Sequence, residues 1–230
     1  MRVLARDEVR PGHEPRGPGA ERLRDDRARD AAVQTDGTTR AGLRTVHWDR
    51  TDGRFAAAGG FTAAEAAEVT AGNGLAAEAH LMVEEPLREV DRWTDFCELV
   101  VVHAGTRDWR AALDRVRARG ARAGVALSPG VEVPEVEPGT DVLVMSITPG
   151  LAGSTFQVDA LATVGRVAGP GHAVGLDGGV TRSIVPHALD AGATWLVSGT
   201  DLVASEDPLG WLTVARATEV APDGTREGVG

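Results

Sequence analysis

Apolar residues along this chain fall into short continuous blocks instead of alternating with polar ones. Seven such blocks, rich in β-branched residues, occupy 45–49, 77–83, 99–104, 123–128, 142–147, 173–177 and 195–199. A strand with one wet face alternates with period two, whereas a strand covered on both faces is apolar throughout, so these blocks predict buried parallel strands. Between them the spacing becomes that of amphipathic helices, clearest at 62–71, 86–96, 109–119, 156–167 and 181–191. Gly74, Gly120 and Gly192 stand where helix C-caps belong, just ahead of the next block. The stretch 131–138 carries two prolines and predicts at most a single turn.

An eighth strand is available at 2–5. Eight strand–helix units in 230 residues predict an α/β protein, a single-domain TIM (β/α)8 barrel. An open doubly wound sheet is the alternative, but no G-x-G-x-x-G follows an early strand to support it. Residues 1–40 read as a divergent N-terminal segment: the first strand, a loop rich in proline and glycine, then a charged helix at 20–33. Residues 41–220 form the barrel body, and the polar, glycine-rich 221–230 a flexible tail.

Charge and composition remove several functional classes. A net charge of −10 argues against a nucleic-acid partner. Apolar runs fall short of the ~20 residues of a membrane span, and the N-terminus has no stretch of signal-peptide type. A cytoplasmic protein with no membrane partner is therefore expected. The single cysteine, Cys97, leaves no internal disulfide and no cysteine-based zinc cluster, and reads as a small buried apolar residue. All 24 basic residues are arginine. Without lysine there is no Schiff-base or pyridoxal-phosphate chemistry and no P-loop. Without tyrosine, proton transfer falls to Asp, Glu, His, Cys97 or a metal-bound water.

Working residues of a barrel of this kind sit at the C-terminal ends of its strands. The second strand ends in Val46-His47-Trp48-Asp49, and alternation turns His47 and Asp49 the same way, towards the barrel axis. The third supplies His80 and the seventh Asp177. Two imidazoles and two carboxylates converging on one mouth form the ligand set of a divalent transition metal such as zinc. His103, His172 and His187 read as hydrogen-bonded packing residues. Glycine loops supply a second site. Gly178-Gly179-Val180-Thr181 follows the seventh strand and Ser198-Gly199-Thr200-Asp201 the eighth, where barrels of this type bind phosphate through backbone N–H groups. A third loop, Pro149-Gly150-Leu151-Ala152-Gly153-Ser154, follows the sixth strand and could close over the ligand. The candidate phosphate-binding residues are Gly150, Gly153, Ser154, Gly178, Gly179, Gly199 and Thr200.

At these positions the chain resembles the ribulose-phosphate 3-epimerases. His80-Leu81-Met82-Val83-Glu84-Glu85-Pro86 is similar to that family's H-L-M-V-x-x-P, and Val142-Leu143-Val144-Met145-Ser146-Ile147-Thr148-Pro149-Gly150 to its V-L-V-M-x-V-x-P-G. His47-Trp48-Asp49-Arg50-Thr51-Asp52-Gly53-Arg54-Phe55 resembles H-x-D-V-M-D-G-x-F, and Leu176-Asp177-Gly178-Gly179-Val180 resembles V-D-G-G-I. The similarity spans 46–204. It implies a TIM barrel holding one divalent ion (Zn, Fe, Mn or Co) on His47, Asp49, His80 and Asp177. It also implies Asp49 and Asp177 as a pair of acid/base catalysts that invert C3 of a phosphorylated ketose, D-ribulose 5-phosphate to D-xylulose 5-phosphate. Met82 and Met145 would line the enediolate, and the family's habit of self-association implies a homo-oligomer.

Departures accompany the resemblance. No P-S-I-L occurs before Arg40, Thr51 stands where Met is expected, and Ala56-Ala57-Ala58 replaces V-P-N. The fourth-strand H-x-E becomes His103-Ala104-Gly105, and Leu151-Ala152-Gly153-Ser154 replaces F-G-G-Q. Proton-transfer and metal positions survive while residues around the sugar change. That pattern leaves two alternatives open: an epimerase of another sugar phosphate, and a non-catalytic barrel that binds one.

Overall fold

The computed structural model describes residues 2–6, 42–151 and 153–217. The charged helix expected at 20–33 and the tail at 221–230 lie outside them. One sheet contains β1 (Arg2–Arg6), β2 (Thr45–Thr51), β3 (Gly59–Gly60), β4 (Ala76–Met82), β5 (Leu99–His103), β6 (Arg122–Leu127), β7 (Asp141–Met145), β8 (Val174–Asp177) and β9 (Trp195–Val197). All except β3 run parallel, and β1 pairs with both β9 and β2, closing an eight-stranded barrel and excluding the open sheet. The two-residue β3 is an antiparallel annex on β2, with Arg50 opposite Gly60. Closure leaves no barrel strand with an unpaired edge.

Helices follow in the expected places: α1 (Ala63–Asn73), a 3-10 turn (Pro86–Arg88) leading into α2 (Val90–Thr94), α3 (Trp109–Ala118), α4 (Asp159–Val167), α5 (Val185–Asp190), α6 (Thr200–Val203) and α7 (Pro208–Ala217). A capping box starts α1: Glu65 N–H donates to Thr62 Oγ1, and Glu65 Oε2 accepts from Thr62 N–H at 2.8 Å. Gly74, Gly120 and Gly192 take positive φ at the predicted caps. Three helices are shorter than their apolar pattern, that expected at 156–167 beginning at Asp159. The segment 86–96 is split because Glu89 N–H closes a tight i→i+3 bond onto Pro86 O, so the first turn is 3-10. The segment 181–191 becomes helical only at Val185, where Pro186, which has no N–H to contribute further in, sits in the first turn. No helix forms at 131–138.

Two apolar cores result. The larger fills the layer between barrel and helices, where Trp48, Trp93 and Trp211 are buried. Trp48 points into that layer, its Nε1 donating to Thr70 Oγ1 of α1 at 3.0 Å and its ring meeting Phe61 edge-on. Alternation along β2 therefore turns His47 and Asp49 inward. The smaller core plugs the barrel interior with Leu99, Val101, Ala126, Leu143, Trp195 and Val197. The Trp195 indole lies across Gly175, where an added Cβ would come within 2.2 Å of Cε2. The floor of the barrel is thus solid, and the polar side chains gather above it.

Gly175→Ala forces a methyl group into the indole and is expected to lower unfolding free energy by roughly 1–3 kcal/mol. Urea denaturation measures it, and an unchanged midpoint would contradict a close-packed interior.

Candidate metal centre and ligand cavity

Strand register builds the site. In the β2–β4 ladder His47 pairs with Glu78 and Asp49 with His80, so acid and imidazole stand side by side on two successive inward rows, with the order reversed. Asp177 joins them at the end of β8, reached from β2 around the ring through β1 and β9. Among the described residues His47, Asp49, His80 and Asp177 are all buried, with one ligand atom from each lying within 4.8 Å of the others. His80 Nδ1 lies 3.2 Å from Asp49 Oδ1 and 3.5 Å from Asp177 Oδ2, while His47 Nε2 lies 3.4 Å from Asp49 Oδ1.

The far nitrogen of each ring is also held. His47 Nδ1 is 2.5 Å from Glu78 Oε1. His80 Nε2 is 2.8 Å from His103 Nε2, and His103 Nδ1 is 3.2 Å from Ser128 Oγ. Burial alone disfavours the charged form of His47, but hydrogen bonds and charge from Asp49 and Glu78 together outweigh it and lift the pKa to about 10. His80 is raised in the same manner, burial being overcome by Asp177 and Asp49. His103 goes the other way, held neutral by burial and by the neighbouring charge on His80, against a weaker pull from Asp49.

These residues suit a divalent cation. The donor set is two nitrogens and two carboxylates, and the buried His47 Nε2 has no well-formed hydrogen bond, only the 3.4 Å approach of Asp49 Oδ1. A cation among the four would satisfy that nitrogen and offset the crowded carboxylates.

Beside the cluster lies a cavity of about 790 Å³. Asp177 belongs to its lining together with Gly178 and Gly179 after β8, Gly199 and Thr200 after β9, and Gly153 and Ser154 after β7. Gly178 and Gly179 have φ of +99° and +58°. A Cβ on Gly178 would lie 2.5 Å from Ile147 Cγ1, and one on Gly179 would lie 3.2 Å from Phe156 N. Only glycine fits this close approach of two loops. Gly150 lies outside the lining: its Cβ position would meet Ala56 Cβ at 2.9 Å, so it packs the β7 loop against the β2 loop. Met82 and Met145 are buried at the ends of β4 and β7, Met145 beside Asp177 in the ladder, and neither lines the cavity.

Three residues have roles that their type alone did not reveal. Glu78 is a carboxylate in an otherwise apolar block, two positions before His80, and that spacing was the available signal. His103, read as a packing residue, stacks on His80 and meets the tilted ring of Phe55 at the edge of the cluster. Arg182, the first cation after the paired glycines, lines the cavity, with its backbone N–H donating to Asp201 Oδ2 at 2.8 Å. His172 fits the packing role, its Nδ1 lying 2.9 Å from Thr140 O. Arg50, whose strand position faces the helices, stays half-buried by reaching Glu89 at 3.7 Å and donating to Thr51 O.

Solved structures share the architecture. The 3-hexulose-6-phosphate synthase of Salmonella typhimurium superimposes with a TM-score of 0.63 at 14% identity, over 94% of this chain and 97% of that one. The phosphoribosyl anthranilate isomerase of Thermus thermophilus gives 0.59 at 16%, again over 94% and 97%. At such identities the likeness is one of fold, the α/β barrel. Sequence is more specific: the model of the ribulose-phosphate 3 epimerase family matches residues 25–203, and the chain belongs to that family. The ribulose-phosphate 3-epimerase of Treponema pallidum is 31% identical over 69% of this chain and 78% of its own length. That of Encephalitozoon cuniculi is 33% identical over 56% of this chain, and the chloroplastic enzyme of Arabidopsis thaliana 30% over 73%. The matched stretch spans 62% and 64% of those last two proteins.

Two outcomes are expected of the cluster. With His47 protonated up to about pH 10, ion binding must displace protons. Near neutral pH each divalent ion should release at least one proton, that of His47, as read by calorimetry in buffers of different ionisation enthalpy; release of none would contradict a protonated His47. In the metal-free chain, the stabilising proton on His47 is fully present below its ordinary pKa of 6.5 and lost as pH rises through about 10. His103 contributes with opposite sign, since its depressed pKa gives stability that is lost as pH falls below 6.5. Melting temperature in chelator should therefore decline on both sides of neutrality, and a rise from neutral to alkaline pH would count against these assignments.

Proposed function

We propose that this chain is a metal-dependent epimerase that inverts C3 of a phosphorylated ketose, with D-ribulose 5-phosphate as substrate and D-xylulose 5-phosphate as product. One observation carries the reading: Asp177 belongs both to the metal-competent cluster and to the wall of the glycine-lined cavity. A phosphate seated among Gly178, Gly179, Gly199 and Thr200 therefore puts the far end of a short sugar chain at the cluster.

His47, Asp49, His80 and Asp177 would hold the ion, which supplies Lewis-acid stabilisation of negative charge on the oxygens beside the reacting carbon. Asp49 and Asp177 project from strands three steps apart around the ring, so their carboxylates address the substrate from different sides. One takes the C3 proton from one face, and the other delivers a proton to the opposite face. Carboxylates are weak bases for a C–H bond, with an ordinary pKa near 3.9, and a dry setting above the apolar plug strengthens them as bases. His80, lying between the two aspartates, keeps them apart and oriented. The glycine loops supply backbone N–H groups for the phosphate, with Arg182 at the rim.

Incubation with D-ribulose 5-phosphate in deuterated water tests the reading. Deuterium is expected at C3 of the product, with about one divalent ion bound per chain. Asp49→Asn and Asp177→Asn should each lower turnover by roughly 10²–10⁴-fold. An ion-loaded chain inert to this substrate but exchanging C3 of another ketose phosphate would move the assignment to that sugar; a chain that binds sugar phosphate without exchange would be a binding protein.

A further inference from the structure

Proton transfer and phosphate binding give no task to the buried carboxylate of Glu78. Glu78 is buried in the same inward row as the candidate ligand His47, one row below His80, with Leu99 of the apolar plug as its neighbour on β5. A carboxylate in such surroundings is unfavourable unless it compensates something specific. Its one described hydrogen bond is to His47 Nδ1 at 2.5 Å, and its other oxygen, Oε2, makes none. It is not among the four residues whose ligand atoms come together.

We propose that Glu78 is a positioning residue for the cation site, holding His47 with its proton on Nδ1 so that Nε2 is the nitrogen presented to the ion. This inference rests on the reading of the cluster as a metal site. An imidazole carries one proton on either nitrogen, and only the unprotonated one can ligate. Accepting the Nδ1 proton selects the tautomer, fixes ring rotation and raises the electron density on Nε2. Ladder register makes the contact obligatory: His47 and Glu78 are direct neighbours on adjacent strands, both turned inward. His80 is anchored differently, through Nε2 to His103, with Nδ1 facing the aspartates. The two ligand rings are thus turned in opposite senses. A charged partner is built for only one of them, and removing it should affect His47 alone.

The test uses the metal-free full-length chain, with Co²⁺ as the probe ion. Affinity is read by chelator competition and site geometry by visible absorption of the saturated complex. Glu78→Gln keeps shape and removes charge; Glu78→Leu removes the acceptor altogether. Expected results are Co²⁺ binding weakened about 10-fold in the first and up to about 100-fold in the second, with an absorption spectrum altered at saturation. A merely structural role would leave the spectrum and affinity of any folded variant unchanged. Cooperative melting identifies which variants fold, and the near-isosteric glutamine guards against loss of the leucine protein. Unchanged affinity and spectrum in the folded variants overturn the role of Glu78 while leaving the metal reading intact. Failure of the unsubstituted chain to bind Co²⁺ overturns both.

Discussion

Three carboxylates and three imidazoles are buried together inside a closed barrel, and their charge balance governs the rest of the structure. Asp49, Glu78 and Asp177 are buried together, where the low dielectric makes mutual repulsion severe. Compensation is available in two forms, protons on His47 and His80 or one divalent cation. Both are positive, so one can stand in for the other against the buried carboxylates. Ion uptake and proton release are then two aspects of one equilibrium, and the raised pKa values of the histidines express in protons the same field that attracts a metal.

Maintaining that field requires a wall and a floor. Barrel closure through β1 puts Asp177 within reach of residues from β2 and β4, although these strands are remote in sequence. Below the cluster, Trp195 fills the space left by Gly175 and keeps the interior dry. Above it, the glycines after β8 let the β7 loop approach closely enough to shape a cavity in which Asp177 is a shared wall. Precision comes from the sheet, where register is dictated by backbone pairing, while several of the departures from the family pattern fall outside the strands. The altered residues 56–58, 151, 153 and 154 are loop positions, where substitution is tolerated best.

Legibility followed the same division. Continuous apolar blocks marked every barrel strand, because strands covered on both faces leave no polar positions to blur the pattern. Helix limits were harder to read: the apolar stripes at 86–96 and 181–191 ran on past the points where Pro86 and Pro186 set the backbone hydrogen bonding. The four ligand candidates could be read because polar residues inside apolar blocks must face something, and two-residue spacing told which way. Glu78 obeyed the same rule and was passed over, as a lone glutamate next to a histidine motif has no signature of its own. Gly150 had the composition of a ligand loop but packs on Ala56, a contact between loops some ninety residues apart.

Local sequence determined the strands, their inward and outward faces, the caps and the identity of the ionisable groups, since each depends on neighbours within a few residues and on side-chain chemistry. Only the tertiary structure decided which carboxylate meets which nitrogen. Strand register put Glu78 and not Asp49 on His47 Nδ1, and His103 on His80 Nε2. Such partnerships arise from pairing between strands far apart in the chain, and no spacing along one segment encodes them.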